Sequence, residues 1–244
     1  MKPFLILQLR PETQASDDEY EAILEKGGLE RSETVRIRLD QEPIPGNLNL
    51  QDHAGVIVGG GPGCVSDAKA EKSELDKRIE DAVLNLMPAI TEADFPYMGC
   101  CYGIGILAHH LGGKVNKDRF GEEVGAVECR LTDDGRSDPL LQGSPEKFMA
   151  FVGHKEAVQE LPVGCSHLLA SGPCPYQMIR YKTNVYATQF HPEADSKVFE
   201  TRVKVYKDKG YFPPSDADRI IEFCHQQDVR IPGQILKNFV DAYR

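Results

Sequence analysis

The chain has 244 residues, 41% of them hydrophobic, which is enough for one large domain or two small ones with a substantial core. A formal charge of −10 argues against a surface built to hold phosphate backbones or anionic lipid, so neither nucleic acid nor a membrane is an expected partner. Seven cysteines, an odd number without Cys-x-x-Cys or Cys/His ligand spacing, suggest no metal site and no disulfide framework, and point to a reducing, cytoplasmic setting.

The first apolar run, Phe4 to Leu9, is too short for a membrane span, lacks the flanks of a signal peptide and reads as a strand. Asp17 to Lys26 carries Tyr20, Ile23 and Leu24 at helical spacing behind a Ser16/Asp17 cap, and Val35 to Leu39 is a second strand. Ala54 to Val58 is a buried-type strand ending in Gly59-Gly-Gly-Pro-Gly63, and Ser73 to Leu86 places Leu75, Ile79, Ala82, Val83 and Leu86 on one helix face. Phe95 to Met98 then meets Gly99-Cys-Cys-Tyr-Gly103 and passes into an apolar helix, Ile104 to Leu111. This βαβα order predicts an α/β fold with a mostly parallel central sheet flanked by helices.

From Gly121 to Thr188 the texture changes to short strands, Val124 to Leu131, Phe148 to Val152 and Val185 to Phe190, separated by Asp, Gly and Pro turns. They either extend the same sheet or form an antiparallel patch on its edge. Helices are expected over Ser196 to Lys209, Pro214 to Gln227 with Ser215 or Asp216 as cap, and Gly233 to Tyr243. With no internal repeat or low-complexity linker, residues 1–244 read as a single domain with a helical extension from about 196.

An exposed nucleophile at a strand-to-helix turn sits on a strained backbone, and the residues two before and two after it must be small. Gly99 and Gly103 meet that demand for Cys101; centring the pattern on Cys100 would put Met98 and Tyr102 there. Cys100 then reads as a buried packing residue. The helix that follows Cys101 favours its thiolate through the helix dipole. Among seven histidines, His109 and His110 are too local to face back over Cys101, and His53, His167 and His225 lie in polar or surface contexts. His191 ends a strand, Pro192 stiffens the exit, and Glu193 follows on the same side, so the pair suits a base and the acid that orients it. The glycine turn after Val58 offers unobstructed N–H donors for an oxyanion, with the Tyr102 N–H as a second; it lacks the Gly-Lys-Ser/Thr ending of a phosphate loop.

Gly60-Gly-Pro62, Gly99-Cys-Cys-Tyr-Gly103 and Gln189-Phe-His-Pro-Glu193, in that order, resemble the class I glutamine amidotransferase domain, closest to its stand-alone, GMP-synthetase-like members. The resemblance implies a flavodoxin-like fold with a nucleophile elbow and a Cys101, His191, Glu193 triad. Cys101 would attack a glutamine or γ-glutamyl amide, forming a glutamyl thioester that water resolves to glutamate after ammonia leaves. Gly60 and Tyr102 amides would form the oxyanion hole, and His154-Lys-Glu-Ala-Val158 matches a segment beside the family's site. Two positions depart from the family: Gly105 stands where many members carry Gln, and Gly153 stands before His154 where they often carry Ser. These expected substrate contacts, Gly105, Gly153 and His154, therefore imply a wider pocket that could admit a γ-glutamyl peptide. No cofactor is implied. The partners implied are a small-molecule substrate and, for an ammonia-supplying subunit, a separate synthetase. A stand-alone γ-glutamyl hydrolase and a non-catalytic binding module are the alternatives.

Overall fold

The computed structural model describes residues 1–244. The strand β1 (Phe4–Gln8) is buried throughout and feeds α1 (Thr13–Gly27), which is followed by β2 (Thr34–Arg38) and β3 (Val56–Val58). Helix α1 starts four residues before the expected boundary, so Ser16 lies inside it; Gly28, at φ 63°, closes its end by donating its N–H to Leu24 and Glu25 carbonyls. The helix expected over Ser73 to Leu86 divides into α2 (Glu74–Leu84) and α3 (Met87–Glu92). Pro88 accounts for the break, because its ring is tolerated in a first turn but blocks a helix interior. Ser73 caps α2 by accepting from the Asp76 N–H, and the Asp76 carboxylate accepts from the Ser73 N–H in a capping box.

After β4 (Tyr97–Cys100) and α4 (Tyr102–His110), the chain forms β5 (Val115–Asn116), β6 (Glu122–Leu131), the short α5 (Asp133–Ser137), β7 (Lys147–His154), β8 (Ala157–Val158), β9 (Cys165–Ala170), β10 (Met178–Tyr181) and β11 (Val185–Thr188). Nine strands make one sheet in the order β2-β1-β3-β4-β11-β10-β9-β6-β7, and β5 pairs with β8 separately. The five strands from β2 to β11 run parallel and the remaining four extend the sheet antiparallel, which resolves the choice left open by the short strands.

Alternation along β1 sends Phe4 and Ile6 into a core beneath α1 and α8 (Arg230–Tyr243), and Leu5 and Leu7 into one beneath α2, α3 and α4. Helix α8 starts three residues earlier than expected, with Pro232 in its first turn, and buries Ile235, Leu236, Phe239 and Val240 in the first of these cores. Between them, α6 (Ser196–Tyr206), capped by Asp195, and α7 (Ala217–His225) close over β7 through Phe151, Phe199, Val203 and Ile220. The side chain of Asp216, at the start of α7, makes no capping hydrogen bond. No helix is long and apolar enough to cross a membrane.

Candidate active site

Strand β4 lies between β3 and β11, parallel to both, with Gly99 opposite Val58 and Cys100 opposite Thr188. The glycine turn after β3, the turn after β4 and the exit from β11 therefore open at the same carboxyl edge of the sheet, where ligands of parallel α/β folds bind. Cys101 forms the turn between β4 and α4 with φ 53° and ψ −92°, a backbone that costs a non-glycine residue on the order of 1–3 kcal/mol. Its N–H is anchored to the Thr188 carbonyl at 2.7 Å. A Cβ on Gly99 would lie 2.6 Å from the Tyr97 hydroxyl and 2.9 Å from the Gly103 carbonyl carbon, so the turn closes only around glycine. Cys100 points into the core with Ile57 and Met98, where burial pushes its thiol well above the ordinary range.

Cys101 and His191 line a common cavity together with Arg10, Phe199 and Tyr211. The His191 backbone is tied to β7 through the Phe151 carbonyl at 3.0 Å, and its Nδ1 lies 3.0 Å from Glu193 Oε1. That same oxygen accepts from Arg202 Nη2 at 2.7 Å. Arg202 also reaches Glu19 at 3.4 Å, Arg10 donates to Glu19 at 2.8 Å, and Arg10 continues to the Tyr206 hydroxyl at 3.1 Å. The network is buried and joins β1, α1, the β11 exit and α6.

Burial pushes the Cys101 thiol up to about 12, with the charge of Arg10 the largest influence against it. Burial thus works against the thiolate that the helix end was expected to favour. Burial, then the charge of Arg202, lowers His191 to about 4, so its ring is neutral at pH 7 and able to accept a proton. Burial also works against the charge of Glu193, but Arg202 and then His191 overcome it and hold this carboxyl well below the usual carboxylate range.

The Gly60 N–H donates to no protein group, and a Cβ there would stand 2.7 Å from both His191 Cε1 and Arg10 Nη2. Tyr102 opens α4, so its N–H has no partner within the helix, while its hydroxyl turns away to Glu80 at 2.6 Å. A second cavity on the other side of Cys101 is lined by Gly105, Gly153, His154, Glu156 and Gln189. It does not have the extra width expected from its two glycines. The Cβ position of Gly105 is 2.8 Å from Glu156 Oε1, and that of Gly153 is 3.0 Å from Val124 Cγ2. Neighbouring side chains already hold the vacated space.

His154 lines this cavity, but its nitrogens are engaged with the Glu156 carbonyl and with Glu122, each at 2.8 Å. Glu122, His154 and Cys174 bring ligand-type atoms within 4.8 Å of one another; Ser171 and Gln177 also donate to Glu122, so its carboxylate and His154 are already engaged in hydrogen bonds. The other histidines lie elsewhere: His110 meets Thr91, and His225 meets the acid Glu200 on the exposed surface of α6 and α7.

Arg10, Glu19, Glu156 and Arg202 were not singled out by sequence reasoning. Arg202 did carry a signal, because Phe199, Arg202, Val203 and Tyr206 share the buried stripe of α6 and a charge on such a stripe implies a buried partner. Arg10 and Glu19 gave none; Glu156 lies within the His154 to Val158 segment matched to the family, but its approach to Gly105 joins residues distant in sequence.

The family model described as glutamine amidotransferase class-I matches residues 16–205. The chain is 30% identical over 148 residues to a glutamine-hydrolysing GMP synthase of Streptococcus pyogenes serotype M5 (strain Manfredo), covering 59% of this chain and 25% of that protein. It is 32% identical over 152 residues to the same-named protein of Thermosipho melanesiensis, covering 61% and 26% respectively. The chain thus spans about a quarter of the length of these curated relatives. Among solved structures, a glutamine amidotransferase from Thermotoga maritima superposes with a TM-score of 0.77 at 18% identity, covering 100% of this chain and 98% of that one. One from Methylobacillus flagellatus gives 0.74 at 20%, covering 100% and 96%. At these identities the structural likeness speaks for the fold.

Proposed function

The chain belongs to the class I glutamine amidotransferase family, and from that membership we propose that it hydrolyses a γ-glutamyl amide, glutamine first, through Cys101, His191 and Glu193. The observation that carries the reading is the φ of 53° at Cys101, at the mouth of a cavity shared with a neutral His191 already paired to Glu193. Because Nδ1 is engaged with Glu193, Nε2 is the nitrogen left to take the thiol proton as sulfur attacks the amide carbon. The carbonyl oxygen gains the charge, and the Gly60 and Tyr102 N–H groups receive it. His191 returns the proton to the amide nitrogen, ammonia leaves, and a glutamyl thioester remains. Water, deprotonated by the same imidazole, attacks the thioester; collapse releases glutamate and restores the thiol. The sum is glutamine plus water giving glutamate plus ammonia.

Residues 1–244 act as one unit in this proposal, since Arg202 of α6 holds the triad carboxylate. The seven free thiols suit a reducing cytoplasm. The synthase relatives, of which this chain matches about a quarter, support delivery of the ammonia to a separate synthetase. Labelling by an electrophilic glutamine analogue, with the modified residue mapped by mass, tests the reading. A mass shift at Cys101 is expected; modification at Cys100 or nowhere overturns it.

A further inference from the structure

Cys101 stands between two cavities, and His191 lines only one of them. In the mechanism proposed above His191 hands its proton to the departing nitrogen, so whatever leaves with that nitrogen lies on the side of His191. This cavity has no carboxylate in its walls. It carries two arginines, Arg10 and Arg202, and an apolar flank that includes Phe199, Val203 and Phe212. A departing ammonia molecule makes no use of a cation or of an apolar wall.

Arg10 is buried, with Nε donating to Glu19 at 2.8 Å and Nη1 to the Tyr206 hydroxyl at 3.1 Å, whereas Nη2 donates to no protein group. Buried guanidinium donors are seldom left unpaired. Arg202 also has unpaired nitrogens, Nε and Nη1, but these are sealed from solvent, and its Nη2 is held by Glu193 and Glu19. Arg10 Nη2 is not sealed, so it is the donor that the cavity presents. Gly60 fixes its place relative to the imidazole: the point that a Cβ would occupy there is 2.7 Å from Arg10 Nη2 and 2.7 Å from His191 Cε1. Cε1 is bonded to Nε2, the nitrogen that serves the leaving group, so Nη2 sits within one residue's reach of the scissile bond. The guanidinium charge is also felt at the sulfur, where it is the main influence opposing burial.

Resting on the hydrolase reading above, we infer that this cavity is a leaving-group subsite for an amino acid, with Arg10 Nη2 binding its α-carboxylate and Phe199, Val203 and Phe212 its side chain, so that γ-glutamyl dipeptides with an apolar C-terminal residue are substrates alongside glutamine. In such a dipeptide the carboxylate carbon is two bonds from the scissile nitrogen, which suits a donor placed beside the imidazole edge. The carboxylate supplies the acceptor that Nη2 lacks, in a charge-assisted hydrogen bond. The chemistry balances as for glutamine: the Cys101 sulfur bonds to the γ-carbon, the C–N bond breaks, the imidazolium proton goes to the departing nitrogen, and water cleaves the thioester. Glutamate and a free amino acid are the products. Room for a γ-glutamyl peptide, not found at Gly105 and Gly153, thus lies on the opposite side of Cys101.

The test compares γ-L-glutamyl-L-alanine with γ-L-glutamylethylamide, which is the same amide without the carboxylate. Wild type is expected to prefer the dipeptide in kcat/KM by about 10- to 100-fold, the range of a charge-assisted hydrogen bond. Arg10→Met should bring the two compounds close to parity, and Arg10→Lys, which keeps the charge, should retain part of the preference. Because Arg10 also braces Glu19, Phe212→Asp provides a second variant that leaves the buried network intact; from its half-buried position the new anion should lower turnover of the dipeptide more than that of the ethylamide. Equal turnover of the two compounds by wild type, or a preference that survives in Arg10→Met, overturns the inference even where glutamine is hydrolysed. Calorimetric binding of the same pair to Cys101→Ala separates the two readings. If wild type turns over neither compound but Cys101→Ala binds the dipeptide more tightly, and adding Arg10→Met removes the difference, the hydrolase reading falls and the subsite stands. Equal binding of the two compounds overturns the subsite itself.

Discussion

Arg202 and His191 converge on one oxygen of Glu193, with Arg202 Nη2 at 2.7 Å and His191 Nδ1 at 3.0 Å from Oε1. The arginine keeps the acid ionised, and its charge adds to burial in holding the imidazole neutral. It is a positioning residue that controls both members of the pair.

Replacing it should therefore move the acid limb of the rate profile. In Arg202→Met the main charge lowering His191 is gone, so the ring's pKa rises from about 4 toward 6.5. Once the ring's pKa exceeds the working pH, each further unit removes about tenfold of the neutral base. We expect kcat/KM, normalised to folded protein, to fall far more at pH 5 than at pH 8. A uniform loss across pH would contradict the assignment.

Exchanging the two neighbouring cysteines separates chemistry from packing. Cys101→Ala should abolish ammonia release from glutamine, whereas Cys100→Ala, which removes only a core sulfur, should retain much of it with some loss of stability. An ammonia assay and a thermal melt on both variants decide this; equal loss of activity would exclude the elbow assignment.

Gly60→Ala tests the approach to the imidazole. The added methyl would stand 2.7 Å from His191 Cε1 and from Arg10 Nη2, so the ring must shift. A displacement on that scale costs roughly 10²-fold in rate. The expected signature is a fall in kcat with an unchanged circular-dichroism spectrum.

Acid stability follows from the same burial. The folded-state value of His191, about 4, lies below its ordinary 6.5, so above pH 6.5 its contribution is fully present. As pH falls toward 4 the unfolded chain takes up a proton that the native chain refuses, and about 3 kcal/mol is lost. Denaturant titrations from pH 7 to 4 should show this slope in wild type and a flatter one in His191→Gln. Parallel slopes would argue against a neutral, buried ring.

Much of the fold was legible because its signals are local. The unbroken apolar run Phe4-Leu-Ile-Leu7 gives a strand buried on both faces, and Gly99 specifies the turn around Cys101 through sterics. Strands β9 and β10 were not, since six and four residues carry too little periodicity beside the pairing that stabilises them. The same contrast runs through the site. His191 and Glu193 are two residues apart and announce each other, whereas the contact of Gly105 with Glu156 joins residues 51 positions apart and exists only once α4 packs against the turn after β7. The burial that raises the Cys101 thiol was hidden for a related reason: a helix end is local in sequence, but desolvation is a property of the folded surroundings.

Arg202 comes nine residues after the acid it serves, on a helix that closes onto α1. During synthesis a chain that has emerged only as far as Asp195 contains Cys101, His191 and Glu193, yet lacks the arginine whose charge does most to keep Glu193 ionised in a dry interior. On the proposed mechanism, a half-made polypeptide is expected to stay inactive until α6 docks. A fragment cut at the last triad residue is predicted to be an inert protein rather than a minimal enzyme.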